Sequence, residues 1–106
     1  MEISRTFLFA PGNHARRVEK SVTLGADAVI LDLEDAVANA EKTAARAVVV
    51  EALARPRRCR GFVRINPLET QWCYGDLTTV LHDRFYVLKD SRLVDIWPLR
   101  GRGRVA

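Results

Sequence analysis

No stretch of this chain approaches the roughly 20 consecutive apolar residues that a membrane-spanning helix requires, so no span is expected. Its first residues include Glu2 and Arg5 ahead of only a short apolar patch. They lack the long apolar region and small-residue cleavage site of a secretory signal, and a cytoplasmic location is the expectation. Cysteine is scarce: Cys59 and Cys73 stand far apart, with no C-x-x-C pair and no adjacent histidine to complete a metal or nucleophile set. Both are read as thiols outside any disulfide. His14 and His82 are equally isolated, and are read as surface or capping residues rather than acid–base groups.

An excess of charge of one sign is also missing from most of the chain. Through Asp83 the lysines and arginines are matched one for one by aspartates and glutamates, so the net charge of +4 comes from the last stretch, where Arg84, Lys89, Arg92, Arg100, Arg102 and Arg104 face only Asp90 and Asp95. That distribution argues against a nucleic-acid footprint; the basic turn made by Arg55, Arg57, Arg58 and Arg60 reads as a solvated loop. At 106 residues the chain suits one modest domain with a small core. A complete (β/α)8 barrel takes about 250 residues.

What is present is an alternation of short apolar runs with longer helical patterns, the sequence form of βα units on a parallel sheet. A first strand is expected over residues 6–10, closed by Pro11-Gly12. Asn13 then caps a helix to about residue 24, with Ala15, Val18 and Val22 on one face and Gly25 ending it. A second strand over residues 28–33 is apolar almost throughout, as where helices cover both faces of a sheet. A helix over residues 40–54 follows, capped by Asn39, with Ala44, Ala47, Val48, Val50 and Leu53 as its apolar stripe and Pro56 as its stop. The third strand spans residues 61–65 and ends at Asn66-Pro67. A shorter helix is expected over residues 74–81.

Ligands of parallel α/β folds sit at the carboxyl ends of the strands. Each of the three unusual polar sets falls there: Gly12-Asn13 after the first strand, Asp32, Glu34 and Asp35 closing the second, Arg64 and Asn66 closing the third. Strand alternation puts Asp32 and Glu34 on one face, and Arg64 opposite Val63 and Ile65. A guanidinium and carboxylates can therefore share one pocket. Arg64 either grips a substrate carboxylate with its planar fork of donors or is consumed in a buried ion pair with Asp32 or Glu34. Glu34 and Asp35 either support a metal-bound water, orient Arg64, contact substrate, or are solvated acids at a helix start. Gly12 reads as a turn residue.

The segments Phe7-Leu8-Phe9-Ala10-Pro11-Gly12-Asn13, Gly25 through Val37 with its run Asp32-Leu33-Glu34-Asp35, and Val63-Arg64-Ile65-Asn66-Pro67-Leu68 resemble the N-terminal part of the citrate lyase beta-subunit family. Lys42, Arg46, Thr70, Trp72, Asp76 and Leu77 fit the same pattern, and the resemblance covers about residues 4–81. It implies the first three βα units of a (β/α)8 barrel (residues 1–83), and magnesium-dependent carbon–carbon cleavage of a citryl- or malyl-type thioester of coenzyme A or an acyl carrier protein. Arg64 then binds substrate, Glu34 and Asp35 are catalytic candidates, and Asn13 and Asn66 are further candidates for substrate contact. The family's magnesium ligands lie on later strands, so no metal ligand is assigned here and tight binding of magnesium to this chain is not expected.

From about His82 the resemblance is expected to fail. Phe85-Tyr86-Val87-Leu88-Lys89-Asp90 can form a strand, but lacks the family's Pro-Lys pair and the glutamate that follows it. Residues 84–106 are expected to be an irregular basic tail, the product of a reading-frame change or a gene-end artefact, and the chain to be an inactive fragment. Three unclosed parallel strands would also leave a sheet edge open to other chains, giving a second reading as a non-catalytic remnant that associates through it.

Overall fold

The computed structural model describes residues 5–80, 86–89 and 92–94. Three βα units open the chain: β1 (Phe7–Pro11) and α1 (Ala15–Ser21), β2 (Ala28–Asp32) and α2 (Lys42–Ala54), β3 (Arg60–Arg64) and α3 (Cys73–Val80). A 3-10 turn over Asn39–Glu41 leads into α2. Two further strands follow, β4 (Tyr86–Lys89) and β5 (Arg92–Val94). The five strands form one sheet in sequence order; β1 to β4 are parallel, and β5 turns back antiparallel on β4. Sequential order with a helix after each of the first three strands is the winding of a barrel segment.

Two strands thus stand within residues 84–106, where an irregular tail was expected. Val87 is fully buried and sits opposite Val63, so hydrophobic pairing with β3 orders a stretch whose sequence has little helical pattern behind it. Residues 81–85, 90–91 and 95–106, including His82, Trp97 and the Arg-Gly repeat, lie outside the described residues.

Register assigns the faces. Phe7, Phe9 and Pro11 stand beside Ala28, Ile30 and Asp32, which stand beside Arg60, Phe62 and Arg64. The opposite face carries Leu8, Ala10, Val29, Leu31, Val63 and Val87. These residues join Val18 of α1, Ala45, Val49, Ala52 and Leu53 of α2, and Cys73 and Val80 of α3 in a single core. All three helices therefore cover one face, not both. The uniform apolarity of β2 has a different cause on its other side, where Ala28 and Ile30 are buried while the Phe7 and Phe62 rings meet tilted at 60°, 5.8 Å between centroids. Such a face, lined by its own side chains, is what the inside of a barrel requires.

Several local expectations shift. The buried stripe of α2 is Ala45, Val49, Ala52 and Leu53, while Ala44 and Ala47 are exposed. Between Ala44 and Ala54 every position of that helix but Arg46 and Glu51 is apolar, so spacing alone did not choose the face. Helix α1 starts at Ala15 with His14 at the cap position and no side-chain cap bond. Asn13 instead donates from Nδ2 to Glu41 Oε2 at 2.9 Å. Asn39 likewise makes no side-chain cap, since the 3-10 turn occupies its position. Gly12 lies in the turn after β1, but its lack of a side chain answers to close approach: its N–H donates to the Asp32 carbonyl at 2.7 Å, and a Cβ there would stand 2.7 Å from that same oxygen and 2.9 Å from Val49 Cγ2. Cys59 and Cys73 make no disulfide. No described helix is long and apolar enough to cross a membrane.

Candidate functional site

At the carboxyl end of the sheet, β2 hands its last residue to β3. Asp32, only 2 % exposed, accepts two hydrogen bonds from the Arg64 guanidinium, Nε to Oδ1 at 2.9 Å and Nη2 to Oδ2 at 2.5 Å. This is the bidentate fork–fork geometry that arginine forms with a carboxylate. Arg64 Nε also lies 3.5 Å from Glu34 Oε1. The ion-pair reading of Arg64 is thus realised with both acids. Nη1 takes part in none of these contacts, and the Phe9 ring lies 5.6 Å from the guanidinium carbon. Phe9 was not singled out in the sequence, although its period-two spacing from Phe7 places both on Arg64's face.

Asp32 does a second job. Its Oδ1 accepts the Glu34 N–H at 2.8 Å and its Oδ2 the Ala36 N–H at 3.0 Å, so the carboxylate ties the turn after β2 to itself. Residues 33–37 form bends and turns, and the next helix begins only at Lys42. Glu34 and Asp35 are therefore not acids of a helix start. Glu34 is half-buried against Arg64, whereas Asp35 is exposed.

The same turn is held from beneath. Lys42 is buried at the start of α2 and donates from Nζ to the carbonyls of Leu33 at 3.1 Å and Glu34 at 2.6 Å, with the Trp72 ring 5.4 Å away. Asn66 Nδ2 donates to the same Leu33 carbonyl at 2.8 Å and to Asp76 Oδ2 at 2.6 Å. Asp76, with no exposed surface, also accepts from the Asn66 backbone N–H at 2.9 Å and from Arg46 Nε at 2.8 Å. Arg46 reaches on to the Trp72 carbonyl at 3.1 Å. Asn66 is thus 2 % exposed, its amide nitrogen engaged within the protein. Sequence reasoning noted Lys42, Arg46, Trp72 and Asp76 without a role; two cations four residues apart on a largely apolar helix were the available signal.

Asn13 follows β1 at the same end of the sheet. Its Oδ1 is buried and accepts no hydrogen bond from the described residues.

Burial alone would raise the Asp32 carboxyl. The hydrogen bonds from Arg64 and from the Glu34 and Ala36 N–H groups outweigh that effect and hold its pKa below the ordinary carboxylate value. The bond to Asp32 in turn raises Arg64 against the opposing effect of burial. Asp27, exposed at the opposite end of β2, is lowered by the N–H groups of Arg5 and Thr6. A carboxyl depressed in the folded state binds fewer protons than in the unfolded chain at acid pH, so its stabilisation is complete above about pH 5 and fades as pH falls below about 4. The melting temperature is expected to hold steady from about pH 7 to about pH 5.5 and to fall steeply below about pH 4, with a shallower fall in Asp32→Asn. Melting curves that stay superimposable down to about pH 3 would contradict this account of the pair.

Asp32 is poorly suited to hold a magnesium ion. Both Asp32 oxygens are taken by N–H donors and a guanidinium already neutralises the site. No three His, Cys, Asp or Glu side chains gather in metal-holding geometry among the described residues.

The chain is similar to several known proteins. The HpcH/HpaI aldolase/citrate lyase family description matches residues 5–89, reaching through β4. A (3S)-malyl-CoA thioesterase from Cereibacter sphaeroides is 40 % identical over 98 residues, covering 87 % of this chain and 34 % of the relative. The citrate lyase subunit beta of Escherichia coli K12 is 43 % identical over 79 residues, 73 % of this chain and 26 % of the relative. Among solved structures, CitE from Mycobacterium tuberculosis in complex with magnesium, acetoacetate and coenzyme A superimposes with a TM-score of 0.71 at 33 % identity, covering 87 % of this chain and 34 % of CitE. The chain thus spans about a third or less of the length of these relatives. With that match over most of its residues, the chain belongs to the HpcH/HpaI aldolase/citrate lyase family.

Proposed function

We propose that this chain carries the arginine side of a carbon–carbon lyase site acting on a citryl- or malyl-type acyl thioester, with Arg64 as the carboxylate-binding residue. The observation that supports it is Arg64 itself, held at the carboxyl end of β3 by Asp32 and Glu34, with Nη1 outside those contacts. A guanidinium so fixed meets an incoming carboxylate with little further ordering, and Glu34 serves as its orienting partner. In such a cleavage the hydroxyl-bearing carbon beside the substrate carboxylate becomes the carbonyl carbon of a 2-oxo acid while its hydroxyl oxygen passes its proton to a base. The broken bond's electron pair passes to the thioester as an enolate, which then takes a proton. Arg64 holds the keto-acid portion through its carboxylate. Magnesium, bound in the CitE structures, supplies a Lewis acid for the keto-acid oxygens. Its ligands, by the family resemblance, belong to later strands than those of this chain. Asn66 and Lys42 shape the floor of the site, and Asn13 remains the candidate for a further substrate contact.

On this reading the 106-residue chain binds a small keto acid weakly and cleaves nothing. A titration with oxaloacetate, followed at the Arg64 side-chain Nε–H by nuclear magnetic resonance, is expected to saturate with a dissociation constant on the order of 1 mM, as suits one bidentate contact. Citryl- and malyl-coenzyme A with magnesium are expected to yield neither keto acid nor free thiol. An Arg64 resonance unmoved by oxaloacetate would remove the carboxylate-binding role; keto-acid release would show that the chain is active as it stands.

A second reading rests on the uncovered sheet face. Phe7 and Phe9 are 50 % and 57 % exposed on edge strand β1, which suits association with another chain rather than catalysis. A monodisperse monomer in light scattering at about 0.1 mM would argue against it.

A further inference from the structure

Lys42 has no carboxylate partner among its hydrogen bonds, although it is 5 % exposed. A buried ammonium is costly unless its donors are satisfied. Here two donations go to consecutive main-chain carbonyls, those of Leu33 and Glu34, in the turn that leads from Asp32 to Glu34. That turn is grasped on its other side by Asp32, which accepts the Glu34 and Ala36 N–H groups. Leu33 is fixed further, its N–H donating to the Arg64 carbonyl at 2.9 Å and its carbonyl accepting from Asn66. The N–H and carbonyl groups of both Leu33 and Glu34 are thereby engaged, and Lys42 is the only cation donating to them among the described residues.

We propose that Lys42 is a positioning residue for the carboxylate site: from the start of α2 it locks the Leu33–Glu34 turn, and so fixes Glu34 against Arg64 in the orientation that receives a ligand carboxylate. The inference rests on the binding role proposed for Arg64. Without Lys42, the Leu33 carbonyl keeps Asn66, but the Glu34 carbonyl keeps only the Val37 N–H at 3.2 Å within the turn itself, and the turn loses its tie to α2. The expected signature is a loss of carboxylate affinity that exceeds, and is separable from, any loss of stability.

The test uses the 106-residue chain with oxaloacetate as probe, following the Arg64 Nε–H resonance. Lys42→Met is expected to weaken binding at least about tenfold, and Lys42→Arg, which keeps charge and donors, to recover most of it. Leu53→Ala, a cavity at the far end of the same helix beside Gly61, is expected to lower the melting temperature without changing affinity. Equal affinities in wild type and Lys42→Met, or a loss in Leu53→Ala matching that in Lys42→Met, would overturn the proposal while leaving Arg64's role intact. No response of Arg64 in the wild type would instead overturn the site reading on which it rests. Should Lys42→Met fail to fold, amide exchange in the wild type decides: Glu34 and Ala36 N–H are expected to be protected to within about tenfold of Val49, and exchange about a hundredfold faster than Val49 would show that the turn is not locked.

Discussion

Arg64→Lys, introduced into a chimera in which residues 5–89 replace the matching segment of a full-length citrate lyase beta subunit, is expected to lower kcat/KM by about 10²-fold while leaving the protein folded. The two halves of that expectation have separate causes. Lysine keeps a cation beside Asp32, so the buried carboxylate is not stranded and stability changes little. It loses the planar fork, however, and with it the pairing of Nε and Nη2 to Asp32 that leaves a third nitrogen for a ligand. Lysine thus keeps the charge but not the placement of the substrate carboxylate, and a misplacement of about 1 Å can cost about 10²-fold in rate, which corresponds to about 3 kcal/mol. Steady-state kinetics beside a melting curve checks both halves. Unchanged kcat/KM in the folded variant would reduce Arg64 to a partner of Asp32.

Asp76→Ala is expected to have the largest effect on the fold. Asp76 is completely buried and accepts from Arg46, from the Asn66 backbone and from the Asn66 side chain. Removing the carboxylate leaves a guanidinium that is largely buried, together with two amide donors, facing a cavity. Breaking a buried ion pair from one side costs about 3–5 kcal/mol, and total stability for a domain of this size is only about 5–15 kcal/mol. Loss of cooperative unfolding, or a melting temperature lowered by about 15 °C or more, is the expected result in thermal denaturation monitored by circular dichroism. Asp76→Asn keeps an acceptor for Asn66 and is expected to fall between the two. A drop of only a few degrees in Asp76→Ala would mean that the cluster is solvated and contributes little.

How legible this molecule was depended on the kind of interaction. The three βα units were readable because apolar runs of five or six residues bounded by Gly12, Gly25, Pro56 and Pro67 leave few alternatives. Strand alternation likewise gave the facing of Asp32 within β2 and of Arg64 within β3, since facing is a local property of an extended chain, whereas Glu34 lies past the end of β2 and is brought to Arg64 by the turn. The buried face of α2 was misread because Ala44, Ala47, Val48 and Val50 compete on hydrophobicity with Ala45, Val49 and Ala52; the choice is made by where the sheet lies. Asn13 and Asn39 looked like caps by residue type, but Asn13 donates to Glu41, which is remote in sequence and brought close by the fold.

The sequence by itself determined the α/β class, the strand ends at which charge collects, and the family to which the chain belongs, because these follow from short-range periodicity and from segments that fit a known pattern. Only the tertiary structure decided that helices cover a single face, that Tyr86–Lys89 joins the parallel sheet, and that Lys42, Asn66 and Asp76 form a scaffold beneath the Arg64 pair. The physical reason is distance along the chain. Asp32 and Arg64 are 32 residues apart, on strands that meet only after a helix has been laid across the sheet, and no local preference specifies which buried donor finds which buried acceptor.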